Sequence, residues 1–439
     1  MEHNNKAQLL ASMLAGRLVL LCGAGLSMAP PSRLPSARHV AELCFDRYQV
    51  AVDPAVELNL RGNLEMFAEH FVTQSQLQTV FIERIVPWNQ FMRPSNPGHA
   101  AIADFLITGA ASAALSANYD TLIERRAWDY GADFQASLDG DQATLRSVTQ
   151  SPLLKFHGCS YLDRTATVWA PSQLNDPVVG ARIARSKAWM DLNLHNKDLL
   201  VVGFWSDWDY LNEIIDGALQ DTTPQTVTVV DPSPTDTLQE KAPRLWDISH
   251  RQGVIFTHVQ ESGATVLDEL RQAYSGNYLA SISASGRVAF EQQTQTPVDP
   301  EWLQPLALDS EALYGLRLDA EGVPAGIPAT ERQPRLNEVL GLFHLLMRRA
   351  GAVPTNIGYH LNGRSVRVVN GGQQTLSTLR EKFVEAPILA SADIVVAPGA
   401  VDLGVPANIV RAGAEGDIIR PAAQGSWLDF QSGRQELGI

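Results

Sequence analysis

Short, largely apolar runs recur through the first 260 residues, and they constrain the fold of this chain more than any other feature. The first run is LVLLC at 18–22, and the small residues GAGLS follow it directly. Continuous apolar strands are typical of parallel sheets that are covered on both faces. Five further runs have this character: 112–116, 153–156, 199–202, 227–230 and 254–256.

Helical patterns separate several of these runs, at 120–128, 210–219 and 264–273. Alternating strands and helices predict an α/β fold with a Rossmann-like parallel sheet. About ninety residues separate the first two strands, which is far more than a single crossover needs. We therefore predict a helical insertion over about 35–105. Apolar residues at helical spacing mark three parts of it: 37–49, 64–72 and 76–85.

The sequence changes character after about residue 275. Residues 281–335 are rich in Ser, Gln, Pro and Gly and show weak periodicity, whereas 336–349 has a clear helical pattern. Strand-like runs follow at 364–369 and 394–397. We therefore predict three parts: a domain over 1–275, a connecting region over 276–330 and a small C-terminal α+β domain over 331–439.

The charge balance and the cysteine content exclude several classes of protein. Lys and Arg total 34 against 48 Asp and Glu, and the resulting net charge of −14 argues against direct nucleic-acid binding. Three cysteines, Cys22, Cys44 and Cys159, are too few for a four-cysteine zinc site or a disulfide framework. The polar N-terminus MEHNNKAQLL lacks the apolar core of a signal peptide, so we expect a cytoplasmic protein.

Small or polar residues follow five of the apolar runs, and these positions are the candidates for a ligand site. In an open α/β sheet, ligands bind beyond the carboxyl ends of the strands. After the first run, the small residues of GAGLS allow a pyrophosphate to approach the backbone closely. A tight turn between strand and helix explains them equally well. Their spacing also differs from the GxGxxG of dehydrogenases, so hydride transfer is not supported.

Asn118, Asp120 and His157 stand at the ends of the second and third runs. Asn118 and Asp120 can orient a hydroxyl group or a water molecule, although Asp120 also suits the N-cap of the next helix. His157 precedes a glycine, so we expect it to be exposed to the crevice with a pKa suited to a general base. A lone histidine is more often structural, and taken alone this residue favours that interpretation.

Gly203, Ser206 and Asp231 follow the fourth and fifth runs. A glycine such as Gly203 permits close approach of a ligand. An acidic residue that ends a late strand, such as Asp231, can accept a hydrogen bond from a ribose hydroxyl. Each of these residues is also explained by an ordinary turn, so it is their order along the chain that carries information.

Taken in order, the five motifs resemble those of the sirtuin family, the NAD-binding silent-information-regulator proteins. GAGLS resembles the opening GAGxS of the family, and VVDP resembles the segment that reads the adenosine ribose. SANYD and KFHG resemble the motifs that carry the catalytic Asn and His, and VVGFWSDWD resembles the phosphate and ribose segment. His99, in NPGHAAIADFL, fits a helix-start pattern of the bacterial branch. The resemblance covers about 1–275 and implies a Rossmann-like NAD-binding domain.

The sequence departs from the protein deacylases of this family. It contains no CxxC pair, and the segment after KFHG lacks the motif that pairs with an acyl-lysine peptide. The remaining motifs are similar to the bacterial NAD-hydrolysing branch, which acts in anti-phage defence by depleting NAD. The resemblance therefore implies an NAD glycohydrolase that takes NAD as its substrate and binds no zinc. A sirtuin-type deacylase or ADP-ribosyltransferase and a non-catalytic NAD or ADP-ribose sensor stay open as alternatives.

The resemblance also implies a role for each candidate residue. Asn118 would position the water and the nicotinamide-side ribose, and His157 would act as base or ribose-hydroxyl partner. Asp120 would orient the turn of Asn118 or contact the nicotinamide side. Asp231 favours NAD over NADP, because its carboxylate repels a 2′-phosphate. The pyrophosphate and the proximal ribose would be held by Gly23, Ala24, Gly25 and Ser27. The adenosine half would be bound by Gly203, Ser206 and Asp231.

An NAD hydrolase without control harms its own cell, so the resemblance implies control by assembly. The part from residue 281 onward is the candidate for homo-oligomerisation or partner docking. Partners known to the branch are translocase-type ATPases and short Argonaute modules, and the sequence does not choose between them. The apolar face of the helix near 336–347 favours the core of its own domain over an interface. That face comprises Leu336, Val339, Leu340, Phe343 and Leu346.

Overall fold

The structure is a computed structural model of the 439-residue chain, and it divides into two compact units. The first unit comprises Met1–Asp129 with Asp133–Leu270, and the second comprises Tyr130–Ala132 with Arg271–Ile439. The division into three parts stays a prediction. The structure describes these residues: 3–132, 135–145, 152–206, 208–219, 224–324, 337–383, 392–401 and 426–439.

The first unit is built on a parallel sheet, as the apolar runs predict. Its strands are β1 (Leu18–Cys22), β2 (Ala111–Ser116), β3 (Leu153–Leu154), β4 (Asp198–Val202), β5 (Thr226–Val230) and β6 (Ile255–Val259). They lie in the order β3-β2-β1-β4-β5-β6, and all neighbours are parallel. This is the Rossmann strand order, so the predicted fold class is confirmed. The direction of strand succession reverses between β1 and β4.

Helices connect these strands. Those of the first unit are α1 (His3–Leu14), α2 (Ala24–Met28), α3 (Ala37–Ala51), α4 (Leu64–Thr73), α5 (Pro97–Thr108), α6 (Leu122–Asp129), α7 (Gly140–Leu145), α8 (Pro177–Leu194), α9 (Asp209–Ala218), α10 (Leu238–Lys241) and α11 (Pro243–Ser249). A longer helix, α12 (Gly263–Ser285), begins in the first unit and ends in the second.

The position of β1 explains why its sequence is wholly apolar. β1 pairs with β2 on one side and with β4 on the other, and each of its residues is buried. A strand in the middle of a sheet that is covered on both faces exposes no side chain to water. The residues that follow β1 therefore stand at the centre of the carboxyl edge of the sheet.

The predicted insertion lies between β1 and β2 and contains α3 and α4. The sequence predicts an α-helix over 76–85, but the structure has a π-helix there, Leu77–Ile85. Aromatic rings form the core of this region. The ring centroid of Phe67 lies 5.6, 5.1 and 5.9 Å from those of Phe45, Phe71 and Phe81. Such contacts stabilise a core by about 0.5–1.5 kcal/mol each beyond the buried area.

The second unit contains a smaller mixed sheet, in line with the predicted α+β character. Its strands are β7 (Val353–Thr355), β8 (Gly358–Leu361), β9 (Arg364–Val368), β10 (Ile394–Val396) and β11 (Ser426–Leu428). They lie in the order β11-β10-β9-β8-β7. β9, β10 and β11 run parallel, whereas β7, β8 and β9 pair antiparallel. The strand-like runs at 364–369 and 394–397 correspond to β9 and β10.

Helices occupy much of the region over 276–330 that the sequence predicts as a connection, and its role as a connection stays a prediction. α12 extends to Ser285, and α13 (Arg287–Thr294) and α14 (Ser310–Glu321) follow it. Three of the four charged side chains of α14 are buried: Arg317 is 0%, Asp319 is 1% and Glu321 is 6% exposed, whereas Glu311 is exposed. Charged residues on a buried face interrupt the amphipathic pattern, so the sequence does not reveal this helix.

The remaining helices of the second unit are α15 (Glu338–Arg349), α16 (Leu376–Phe383) and α17 (Phe430–Leu437). Leu340, Phe343 and Leu346 of α15 are buried, and Val339 is 40% exposed. Leu336, the first residue of the predicted apolar face, lies outside the described residues. In the part of the chain that the structure describes, no helix has the length and apolar character of a membrane span.

Candidate functional site

A groove of about 610 Å³ opens at the carboxyl ends of β1, β2, β4 and β5. It lies at the reversal between β1 and β4, where sheets of this topology bind ligands. Ser27 and Asp120 line a smaller adjoining cavity of about 50 Å³, whose wall also includes Asn118. The predicted site residues that line the groove itself are Ala24, Gly25, Asn118, Gly203, Ser206 and Asp231.

The loops that follow β1 and β4 pack so closely that only glycine fits at Gly23, Gly25 and Gly203. Gly25 N donates a hydrogen bond to Gly203 O over 2.9 Å. A Cβ on Gly23 would stand 2.6 Å from the same oxygen. Gly203 has φ of +64°, and a Cβ there would stand 2.3 Å from the backbone nitrogen of Leu26. The two loops therefore form a bare backbone surface, which a phosphate group can approach closely.

The side chain of Asn118 is held in one orientation. Its Nδ2 donates to Gly23 O over 3.1 Å and to Ser27 Oγ over 3.2 Å. Only the amide nitrogen can donate to a carbonyl, so these bonds place the amide NH₂ toward the glycine loop. The amide oxygen is thereby left as an acceptor on a residue that lines the groove.

Ser27 joins Asn118 to two further polar residues. Its Oγ donates to Asp120 Oδ2 over 2.8 Å and lies 3.1 Å from His99 Nε2. His99 Nδ1 accepts from the backbone of Asn96 over 3.1 Å, so the neutral ring carries its proton on Nε2 and donates to Ser27. Sequence reasoning identified His99 only as a helix-start residue and missed its place in this network. As expected of a residue before a helix, Asp120 also accepts from a backbone amide of α6.

A buried lysine supports the turn that carries Asp120. Lys155 Nζ donates to the carbonyl oxygen of Asp120 and to Glu124 Oε1, the latter over 3.1 Å. Both side chains of this ion pair are buried, at 1% and 4% exposure. A buried charge is tolerated only when it is paired and hydrogen-bonded. The lysine of the KFHG motif therefore has a structural role, because it holds the turn that carries Asp120.

At the other end of the groove, Asp231 is paired with a lysine that sequence reasoning missed. Lys241 Nζ lies 2.8 and 2.7 Å from the two carboxylate oxygens, and Ser233 N donates to Oδ1 over 2.8 Å. Burial alone would raise the pKa of Asp231, but these hydrogen bonds outweigh it and hold the pKa below its ordinary value. Asp231 is therefore a carboxylate at neutral pH, and Lys241 lines the groove beside it.

His157 differs from its expected position. It is 1% exposed rather than open to the crevice, and burial lowers its pKa to about 4. Nδ1 lies 3.0 Å from Ala117 O, so it donates and leaves Nε2 as the acceptor. Tyr119 OH donates to a backbone carbonyl over 2.9 Å. Since the hydroxyl proton of Tyr119 is used in that bond, the donor to His157 Nε2 is Tyr210 OH, over 2.5 Å.

The cavity that His157 does line is an aromatic chamber of about 320 Å³. Tyr119, Trp169, Trp208 and Tyr210 contribute aromatic walls to this chamber. Trp208 also lines the groove. Tyr119 and Trp208 stand inside the motifs SANYD and VVGFWSDWD, yet only the tertiary fold reveals that they surround the histidine.

Among the described residues of the first unit, the buried histidines His99 and His157 give its stability a defined pH dependence. Burial lowers the pKa of His99 and of His157 to about 4, whereas an unfolded histidine titrates near pH 6.5. The unfolded chain then binds more protons between these values. We therefore expect the full stability above about pH 6.5 and a falling urea midpoint as the pH drops toward about 4.

Urea unfolding at about pH 7.5, 6.5 and 5.5 measures this effect. The variant His157→Gln should show a flatter pH dependence than the parent chain. His195→Gln, at an exposed histidine, is the matched control and should keep the parent slope. A midpoint that stays constant down to about pH 5.5 would contradict the expected role of burial.

Among the described residues, no group of His, Cys, Asp and Glu is arranged to hold a metal ion. All three cysteines are free and buried. Burial raises the pKa of the Cys22 and Cys44 thiols to about 12, so these two are neutral packing groups at physiological pH. The absence of zinc from the functional protein stays a prediction.

Comparison with known proteins gives a family match for part of the first unit. The model of the family described as "SIR2-like domain" matches residues 112–251. At the level of the family, this match supports an NAD-utilising enzyme. The matched segment contains Asn118, His157, Gly203 and Asp231. No curated protein sequence matches the chain.

Three solved structures are similar to this chain at low identity. One is described as "Structural Basis for the Mechanism and Regulation of Sir2 Enzymes", with 15% identity over 62% of this chain and 96% of that chain and a TM-score of 0.31. A mutant Sir2 homologue in complex with ADP-ribose shows 14% identity over 62% and 95%, with a TM-score of 0.34. A Sir2 homologue in complex with NAD shows 15% identity over 60% and 91%, with a TM-score of 0.33.

Proposed function

We propose that this chain, which carries a SIR2-like domain, is an NAD glycohydrolase that converts NAD and water to nicotinamide and ADP-ribose. The observation that carries the proposal is the fixed amide of Asn118 at the groove. Its NH₂ group is committed to Gly23 and Ser27, so its oxygen is available to a substrate or a water molecule.

The chemistry makes modest demands on the protein. The bond between nicotinamide and ribose breaks heterolytically, and nicotinamide leaves as a neutral base with the bonding electron pair. An oxocarbenium-like ribose forms, as in glycoside cleavage. The leaving group is already cationic, so no strong general acid is needed. Water adds to the same carbon and loses one proton, and a positioned acceptor such as the Asn118 oxygen orients that water.

The groove offers a place for each part of NAD. The bare backbone around Gly25 and Gly203 suits the pyrophosphate, with Gly23, Ala24 and Ser27 completing the loop. Asp231 and Ser206 line the part assigned to the adenosine half. Asp120 lines the small cavity assigned to the nicotinamide side.

A role for His157 as a base or ribose-hydroxyl partner requires a rearrangement. The hydroxyl of Tyr210 donates a hydrogen bond to His157 Nε2, and the histidine lines the aromatic chamber and not the groove. This position favours the second candidate function, a sensor that binds NAD or ADP-ribose without turnover. The absence of CxxC pairs from the sequence counts against the deacylase alternative.

Direct assay of nicotinamide release separates these functions. The purified full-length chain is incubated with NAD, alone and with a translocase-type ATPase or a short Argonaute module, and nicotinamide and ADP-ribose are measured. We expect release in equal amounts. NAD binding without release under every condition would favour the sensor. Release that depends on an acyl-lysine peptide would favour the deacylase.

The biological role proposed for this activity is a partner-controlled effector of bacterial anti-phage defence. An enzyme that depletes a central cofactor requires control, and the second unit is the proposed site of homo-oligomerisation or partner docking. Cells that carry the chain with its partner should lose NAD after phage infection, and cells that carry Asn118→Ala should retain it. Equal NAD loss in both would contradict this role.

The pair of Asp231 and Lys241 leads to a prediction about NADP. Asp231→Asn removes the charge that repels a 2′-phosphate and leaves Lys241 available to bind one. We expect the ratio of kcat/KM for NADP to kcat/KM for NAD to rise about tenfold, which corresponds to about 1.4 kcal/mol. The double variant Asp231→Asn/Lys241→Met should lose this gain. An unchanged ratio in Asp231→Asn would show that neither Asp231 nor Lys241 discriminates between the 2′-hydroxyl of NAD and the 2′-phosphate of NADP.

A further inference from the structure

We propose that Trp208 determines which acceptor receives the ADP-ribosyl group, because its side chain lies between the groove and the aromatic chamber and keeps larger acceptors in the chamber away from the reacting ribose. This inference rests on the proposed NAD glycohydrolase activity. It concerns whether the oxocarbenium-like ribose of that reaction is captured by water or by another acceptor.

Trp208 borders three cavities of the first unit. Trp208 lines the groove, the small adjoining cavity and the chamber, as Ala37 does, and Arg38 lines the groove and the chamber. Asn118 lines the groove and the small cavity, whereas His157 lines the chamber. Trp208 is therefore the aromatic residue at the boundary, shared with Ala37 and Arg38, between the space assigned to the reacting ribose and the space around the histidine.

The chamber is large enough to hold a small organic molecule. A volume of about 320 Å³ is about ten times the roughly 30 Å³ that one water molecule occupies in the liquid. It falls at the lower end of the range for small-molecule sites, about 300–1,000 Å³. The rings of Tyr119 and Trp169 lie 4.5 Å apart by their centroids and form part of its wall. The chamber therefore has room for an aromatic acceptor.

The backbone hydrogen bonds at the start of α9 do not involve the indole of Trp208. Trp208 directly precedes α9, and its carbonyl accepts from Asn212 N over 2.8 Å. Its side chain makes no capping hydrogen bond to α9. It is partly buried against the core and meets the His157 ring edge to face, with centroids 5.8 Å apart. Shortening the side chain joins the two spaces and leaves these backbone bonds in place.

The chemistry of the two outcomes differs only in the acceptor. In both, the bond between nicotinamide and ribose breaks and nicotinamide takes the electron pair. With water, a C–O bond forms and one proton is lost, giving ADP-ribose. With an alcohol, the alcohol oxygen forms the C–O bond and loses its proton, giving the alkyl ADP-riboside. No oxidant, reductant or further reactant is required.

The experiment measures how the products divide. The full chain, with its partner if release requires one, is incubated with NAD and benzyl alcohol, and ADP-ribose and benzyl ADP-riboside are quantified by mass spectrometry. We expect the riboside to ADP-ribose ratio to rise at least about tenfold in Trp208→Ala, with a smaller rise in Trp208→Phe. Trp128→Ala, at a partly exposed tryptophan of α6, should keep the parent ratio.

Two further results keep the inference testable. Trp208→Leu provides a second shortened side chain if Trp208→Ala does not fold, and it should raise the ratio in the same direction. Nicotinamide release with an unchanged ratio in both shortened variants would overturn the inference and leave the proposed function intact. Failure of the parent chain to release nicotinamide would overturn the proposed function and this inference with it.

Discussion

Replacing Asn118 by alanine is expected to lower kcat for nicotinamide release by about 100- to 1,000-fold, the usual effect of removing one fixed hydrogen-bonding group from the reacting centre. The amide is held by Gly23 and Ser27, so its oxygen meets the substrate in one geometry. An effect on kcat with little change in KM would show that this contact acts in the transition state.

Initial rates over a range of NAD concentrations provide the measurement. Asn118→Asp keeps the shape but removes the NH₂ donor to Gly23 and adds a negative charge beside Ser27, so it should also lose most activity. Asn193→Ala is the matched control: this asparagine also donates from Nδ2 to a backbone carbonyl, over 2.8 Å, but on α8. Parent kcat in Asn118→Ala would remove Asn118 from the reacting centre.

The sheet of the first unit was predictable because its cause is local. A central parallel strand must be apolar at every position, and β1 begins and ends where the LVLLC run does. The third run is predicted over 153–156, but only Leu153 and Leu154 pair with β2. The backbone N–H of Lys155 donates to Ser137 O over 2.8 Å, and its Nζ bonds to Asp120 and Glu124, which the sequence around it does not indicate.

The site was predictable in part for the same reason. Strand order places the ends of β1, β2, β4 and β5 at one edge, so their residues meet in the groove. The surroundings of His157 were not predictable. Its two tyrosine contacts come from 38 residues before it and 53 residues after it, and such long-range packing decides its burial. The pairing of Asp231 with Lys241 was also missed, although the lysine follows only 10 residues later: it lies at the end of the short helix α10, and the turn before that helix brings it back to the strand end.

In the second unit, Asp319→Ala is expected to lower the free energy of unfolding by about 3–5 kcal/mol, since it leaves a buried charge without its partner. Arg367 lies on β9 and is 0% exposed, and Asp319 on α14 is 1% exposed. Two bonds join them, from Nε to Oδ2 over 2.9 Å and from Nη2 to Oδ1 over 2.5 Å. Urea unfolding of the full chain measures the loss.

Two controls distinguish an unpaired buried charge from a merely disturbed surface. Arg364→Ala breaks the exposed pair of Arg364 with Glu436, whose side chains are 37% and 52% exposed, and it should cost less than about 1 kcal/mol. The double variant Asp319→Leu/Arg367→Met replaces both charges by apolar groups and should recover most of the lost stability. If Asp319→Ala costs no more than Arg364→Ala, the buried pair does not hold α14 against β9. Recovery in the double variant would show that the energy lies in desolvation of a lone guanidinium, and that the pair itself adds little net stability.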